Sequence, residues 1–258
     1  MDLIEVIILG IVQGVVDPMP VSSSGHLVLV QHLFGIEERL TLSIFLHFGT
    51  LIAIMIVFWQ DIVGITKFKT SFKYRKFTKY ILIGIIPAGV IGVVFKGFFE
   101  EVFASTIVVG VMLLVTGTLL WISERVNDEG RKMEEMEFSD SLVVGFAQAA
   151  AIFPGLSRSG TTIIAGLLKG LDRELAVRYS FLLSIPVVLG ATLLQAVDLL
   201  RVGIGEITVF QIIVGTITSV ISGYVALKLL IKIVERQRLS LFAYYCWALG
   251  FLVIWLVG

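Results

Sequence analysis

Cysteine is almost missing from this 258-residue chain. The single Cys246 lies in an apolar stretch, which excludes an internal disulfide and any cysteine-based metal cluster and leaves it as a small core- or lipid-facing residue. Charge is also scarce. Only 16% of residues are Asp, Glu, Lys or Arg, against about a quarter in a soluble domain. The 20 basic and 20 acidic residues cancel, so no overall field draws in nucleic acid and none is expected as a partner. A signal peptide is not expected either. Residues 1–5 carry Asp2 and Glu5 in place of Lys or Arg, and no small-residue cleavage site follows the first apolar stretch.

Apolar residues are abundant: 57% of the chain, with a mean hydropathy of +0.98. Six runs approach the roughly 20 residues that cross a bilayer: Leu42–Trp59, Tyr80–Phe98, Ser105–Ile122, Ala176–Leu199, Thr208–Leu227 and Leu241–Val257. Tyr80, Trp59, Trp121 and Trp255 fall near their ends, where amphipathic rings prefer to sit. Two further apolar regions, Leu3–Phe34 and Leu142–Leu168, are each broken by a polar, Pro/Gly-rich centre. Their short arms suit re-entrant hairpins better than full spans. The predicted fold is therefore an all-α polytopic membrane protein, a single membrane domain over residues 1–258.

The loops rich in Lys and Arg set the expected orientation. Thirteen basic residues, from Lys67–Lys79, Arg125–Lys132 and Lys228–Arg238, fall on one set of loops and three on the other. The first set should be cytoplasmic. All six spans then obey the rule if both broken segments return to the side they enter from. The acidic run Glu134-Glu135-Met136-Glu137 reads most simply as a solvated linker.

The two broken segments align without a gap. Gly10, Gln13, Ser22, Ser24 and Gly25 correspond to Gly145, Gln148, Ser157, Ser159 and Gly160, each shifted by 135. Each segment precedes three spans, giving copy one at residues 1–125 and copy two at 139–258. Charge bias places the copies upside down relative to each other. Such inverted repeats put discontinuous helix tips near the midplane, at the repeat interface. Close packing of small residues is the plain alternative for one Ser-rich kink. Two matched kinks bearing ionisable groups favour a binding site.

The first tip carries Asp17, Ser22, Ser23, Ser24, Gly25 and His26; the second carries Ser157, Arg158, Ser159, Gly160 and Thr161. Arg158 keeps its charge, so at the midplane it needs an anion, and its planar fork matches phosphate. An ion pair with Asp17 is the simpler use of the same charge, and both can hold if the pair forms when no ligand is bound. The serine hydroxyls and the backbone N–H groups beside the glycines add donors, as would a half-helix beginning after each tip. His26 can supply acid–base capacity to a hydroxyl, and Ser23 lies three residues before it. His32 and His47 read as structural. Pro18 is expected to push Asp17 toward extended backbone.

The motifs Pro20-Val21-Ser22-Ser23-Ser24-Gly25-His26 and Pro154-Gly155-Leu156-Ser157-Arg158-Ser159-Gly160-Thr161 resemble those of the undecaprenyl-pyrophosphate phosphatase family of the bacitracin-resistance type, over essentially the whole chain. The resemblance implies hydrolysis of a polyprenyl diphosphate to the monophosphate, recycling the carrier lipid of cell-envelope synthesis at the extracytoplasmic face of the plasma membrane. It implies that Arg158 clamps the diphosphate, that Ser23 is nucleophile or phosphate ligand, and that His26 is its acid–base partner. The family pattern (E/Q)-G-x-x-E-x-x-P reads here Gln13-Gly14-Val15-Val16-Asp17-Pro18-Met19-Pro20, with Asp17 in place of Glu. A divalent cation, Mg²⁺ or Ca²⁺, is implied as well, with Asp17 as its one carboxylate and the substrate phosphates completing the set. A transporter or flippase for polyprenyl monophosphate is the alternative from another class, because inverted repeats with broken helices also build secondary transporters. Gly84, Gly89, Gly92, Gly110 and Gly117 can support close helix contacts within one chain or between two, the latter giving a homodimer.

Overall fold

The computed structural model describes the chain except residues 1, 24, 27–29, 31–39, 68, 70, 104, 127–129, 203–206 and 258, so Ser24 and His32 lie outside the described residues. Among those described there are eleven helices: α1 (Leu3–Val16), α2 (Leu40–Val57), α3 (Trp59–Thr66), α4 (Phe72–Val94), α5 (Lys96–Phe103), α6 (Thr106–Ser123), α7 (Phe138–Ala150), α8 (Arg158–Leu168), α9 (Arg173–Val202), α10 (Val209–Glu235) and α11 (Ser240–Val257). Ser23, Gly25, His26 and Val30 are helical too. Over the described residues the fold is all-helical and, by the length and apolarity of its helices, that of a multi-pass membrane protein.

Among the described residues four helices are long and apolar enough to cross a bilayer: α4, α6, most of α9, and α10. The other two predicted spans take different forms. The run Leu42–Trp59 is the first limb of a broken pair, Thr41–Val57 and Trp59–Thr66, bent by 76°. The last run is a shorter apolar helix, Ser240–Leu256. Helix α4 begins at Phe72, eight residues before the predicted run, because its basic first turns are helical without being apolar. Pro87 and Pro186 sit inside α4 and α9, a placement that neighbouring helices make tolerable in a membrane.

The arms of the broken segments are short, as their sequence predicts: 14 residues in α1, 13 in α7 and 11 in α8. Asp2 and Glu5 form a capping box at the start of α1. The chain turns over residues 17–21 at the first tip and over residues 151–156 at the second. There Gly155 takes φ +91°, in the left-handed region, and a Cβ would stand 2.2 Å from the Val109 carbonyl oxygen. Ser157 then caps α8, its Oγ accepting from the Gly160 N–H.

Helix contacts run mainly between elements of residues 1–125 and elements of 139–258. α1 packs on α10, α7 on α4, α11 on α6, and α2 on both α9 and α10. Small residues bring these backbones together. A Cβ on Gly14 would overlap Ser222 Oγ at 1.9 Å, one on Gly145 would lie 2.6 Å from the Gly84 oxygen, and one on Gly250 would lie 2.8 Å from the Gly110 oxygen. Gly84, Gly110 and Gly117 thus all serve contacts within the chain. Buried hydroxyls tie the same pairs: Ser222 donates to the Gly10 carbonyl, Ser219 to that of Leu46, and Ser141 to that of Tyr80.

At the open end of the α7–α8 hairpin, the fully buried Asp140 is held by Arg131 at 2.9 Å and Lys169 at 3.6 Å. Arg131 also donates to the carbonyls of Lys169 and Glu135. The acidic run predicted as a solvated linker keeps Glu134, Glu135 and Glu137 exposed, while the buried Met133 and Met136 seat it on this end. Met133–Glu135 is a 3₁₀ turn, and Glu134 pairs with Lys73 at 2.7 Å.

Candidate functional site

The two tips meet. Arg158, the first residue of α8, places its guanidinium 3.7 Å from Asp17 Oδ2 across the junction. That distance is an ion pair rather than a hydrogen bond. Both side chains are largely buried, at 19% and 10% exposure. Beside them Ser159 donates to the Met19 carbonyl at 3.1 Å, and a Cβ on Gly160 would lie 3.2 Å from Pro20 Cβ. The Pro-rich turn of the first tip therefore lies against the first turn of α8.

Asp17 is the last, capping residue of α1, with φ −64° and ψ −45°. The expected extended geometry does not occur. The Asp17 N–H still bonds the Gln13 carbonyl at 3.0 Å, and this continuation of α1 outweighs the local preference of a residue before proline. Ser22 is the strained residue instead, at φ 63°. Its carbonyl accepts from Nδ1 of His26 at 2.9 Å.

That bond settles the histidine tautomer. A carbonyl can only accept, so Nδ1 carries the hydrogen, and Nε2 of the neutral ring is the free base. Nε2 in turn lies 2.6 Å from Tyr245 Oη on α11, which donates to it. The two rings are stacked, 5.5 Å apart with 14° between their planes. Ser23 is half-buried and helical, in the same turn as His26. His47, by contrast, bonds its own helix through the Ser43 carbonyl, in keeping with a structural role.

Each tip leans on a helix of the α6–α11 pair. Thr116 on α6 donates to the Gly155 carbonyl at 3.0 Å and accepts from the Ser157 N–H at 3.1 Å. Cys246 on α11 is buried with its Sγ 3.7 Å from the Pro20 carbonyl, and Leu113 of α6 lies against Gly25. Within the second tip, Ser157 Oγ lies 3.3 Å from Ser159 Oγ, and Thr161 bonds back to the Ser157 carbonyl at 2.7 Å. Tyr245 and Thr116 are not marked by sequence. Each is a polar residue inside an apolar run, and an aromatic there reads first as an interfacial anchor.

Gln13 and Gln148, one in each broken segment, are both buried with amide oxygen and nitrogen lacking a hydrogen-bond partner. Among the described residues no three carboxylates, histidines or cysteines gather as a metal site. Asp17 and the orphaned Gln13 amide oxygen, one turn apart on α1, are oxygen donors of the kind Mg²⁺ and Ca²⁺ accept. They suit a partial ligand set that further oxygens would complete.

The family model described as bacitracin resistance protein BacA matches residues 6–252. An undecaprenyl-diphosphatase of Halothermothrix orenii is 49% identical, over 100% of this chain and 99% of its own length. A protein of the same name from Alkaliphilus metalliredigens is 42% identical over 97% of both chains. Undecaprenyl-diphosphatase 3 of Bacillus cereus is 41% identical over 99% of this chain and 98% of its own.

Proposed function

Because the chain belongs to the bacitracin resistance protein BacA family, we propose that it is a membrane phosphatase converting an undecaprenyl-type polyprenyl diphosphate and water to the monophosphate and inorganic phosphate. The observation that carries this reading is the Arg158–Asp17 pair at the meeting of the two tips. A guanidinium held by one carboxylate at 3.7 Å keeps its donors available for a phosphate arriving between them. The first turn of α8 adds its helix-dipole end on the same side.

The chain's own groups divide the work. Arg158 binds and orients the diphosphate and stabilises charge developing on its oxygens. Ser23 is nucleophile or phosphate ligand, with Ser22, Gly25, Ser157, Ser159, Gly160 and Thr161 shaping the cage around the head group. His26, with Nδ1–H committed to Ser22, has Nε2 as the nitrogen that can take a proton from the attacking hydroxyl or water and return it to the leaving group. A divalent cation bound by Asp17, the Gln13 amide oxygen and the substrate would neutralise charge on the phosphates. The lipid tail would remain among the apolar helix faces. The family resemblance implies a plasma-membrane protein with its site open to the extracytoplasmic side, and the basic loops set the orientation of the spans around it. The relatives' names favour hydrolysis over transport.

Phosphate release from a C55 polyprenyl diphosphate by the purified chain in detergent tests this. Release should fall by at least roughly a hundredfold in His26→Ala, Asp17→Asn and Arg158→Ala, the scale on which acid–base and charge-stabilising groups act. EDTA should suppress the wild-type rate and Mg²⁺ or Ca²⁺ restore it. Wild-type release no faster than in the three variants would refute the proposal.

A further inference from the structure

His26 is gripped at both ring nitrogens, and the second grip comes from a helix more than 200 residues away in sequence. We infer that Tyr245 is a positioning residue for His26: the Ser22 carbonyl fixes the tautomer, and the Tyr245 hydroxyl holds the ring in the orientation that presents Nε2 as the base. This rests on the phosphatase reading of the site.

Three observations converge. The Oη–Nε2 distance of 2.6 Å is short for an O–H···N bond and leaves no room for a water between them. The near-parallel stacking, at 14°, restricts ring rotation. Finally, the Ser22 carbonyl that takes the other nitrogen belongs to a residue at φ 63°, so one half of the grip is built on strained backbone. A histidine with only the Ser22 bond could tip away from the site; the tyrosine closes that freedom. Cys246, the next residue, lies against the Pro20 carbonyl, so the backbone of α11 is seated on this tip and keeps Tyr245 beside it. Tyr245 is itself half-exposed, which lets its hydroxyl swing away from Nε2 once a substrate oxygen arrives there.

The chemistry is conservative. Tyr245 gives no proton to product in this scheme. It donates a hydrogen bond to the resting base, and the bond that forms and breaks in each turnover is Oη–H···Nε2. Tyr245→Phe keeps the stacked ring and removes only the hydroxyl. Its kcat on a C55 polyprenyl diphosphate should fall roughly tenfold, because the ring is left to sample orientations that miss the reacting oxygen, with KM within about twofold and thermal stability unchanged. In the His26→Ala background the same change should cost nothing further, since it acts through the missing ring. ¹⁵N spectra of histidine-labelled protein in detergent give a second readout. The wild type should show His26 with Nδ1 protonated and Nε2 shifted by the hydrogen bond it accepts, and Tyr245→Phe should keep the tautomer and move Nε2 to the shift of an unbonded nitrogen. Wild-type kcat in Tyr245→Phe, a full additional loss in the double variant, or an Nε2–H tautomer in the wild type would each overturn the inference. If the wild type releases no phosphate at all, the phosphatase reading fails, and the Nε2 shift still decides the positioning.

Discussion

Arg158 and Asp17 show how little a single residue means without its opposite. Each is visible in the sequence as an ionisable group in an apolar chain, and each is a candidate partner for the other. Their 3.7 Å separation makes the arginine's shape matter as well as its charge. Lysine offers a point charge on a flexible stem and cannot fork between two phosphate oxygens. Arg158→Lys should therefore stay folded, with a melting temperature close to the wild type's, yet lose at least roughly tenfold in phosphate release. A lysine variant with undiminished turnover would show that charge alone is used. Gly155 is the complementary case, where the absence of a side chain is required. Its φ of +91°, with the Val109 oxygen only 2.2 Å from where a Cβ would stand, leaves alanine no place. Gly155→Ala should destabilise the protein by about 1–3 kcal/mol and disorder the second tip, seen as a lowered melting temperature together with lost activity.

Elements differ in how far sequence announces them. Apolar runs locate α6 and α9 within a few residues, because burial in lipid needs a continuous apolar stretch and little else. The short arms α1, α7 and α8 are legible from the Pro/Gly centres that interrupt them. The 76° break at Phe58 is not, since neither glycine nor proline marks it and hydropathy carries no angle. The backbone at Asp17 departs from expectation for a related reason: a local rule about proline is outweighed by a hydrogen bond of the preceding helix. The site divides the same way. Its ionisable and Ser/Gly members can be read from the paired motifs. Thr116 and Tyr245, which hold the tips from neighbouring helices, can be found only once α6 and α11 are placed. Thr116 makes a testable element-level joint. Thr116→Val keeps the shape but leaves the Gly155 carbonyl and the Ser157 N–H without this buried partner, at a cost of about 1–3 kcal/mol. Thr78→Val removes only a hydroxyl bonded to its own helix and should cost far less. Equal melting temperatures for the two variants would contradict the role of α6 as a support for the tip.

On the scale of the whole molecule, the fold is clamped at two ends of the second broken segment: at the tip by the opposite tip, and at the open end by Asp140. That carboxylate is fully buried between Arg131 and Lys169. Removing the carboxylate takes away the shared partner of Arg131 and Lys169, which stay partly solvated, so Asp140→Ala should cost about 1–3 kcal/mol. Denaturation in mild detergent would register it as a fall in stability, although Asp140 lies at the far end of the hairpin from Arg158. A variant as stable as the wild type would mean that the clamp is redundant.

The packing of α1 on α10 also imposes an order in time. Gly10 and Gly14 fit against Gly215, Ser222 and Gly223, about 200 residues further along the chain. At ribosomal speeds of about 5–20 residues per second, α1 spends roughly 10–40 s outside the ribosome before its partner exists. During that interval its glycine face lacks its native partner on α10. A nascent chain halted before residue 209 should therefore expose α1 to cross-linking by membrane insertion factors, and release of the finished chain should end it.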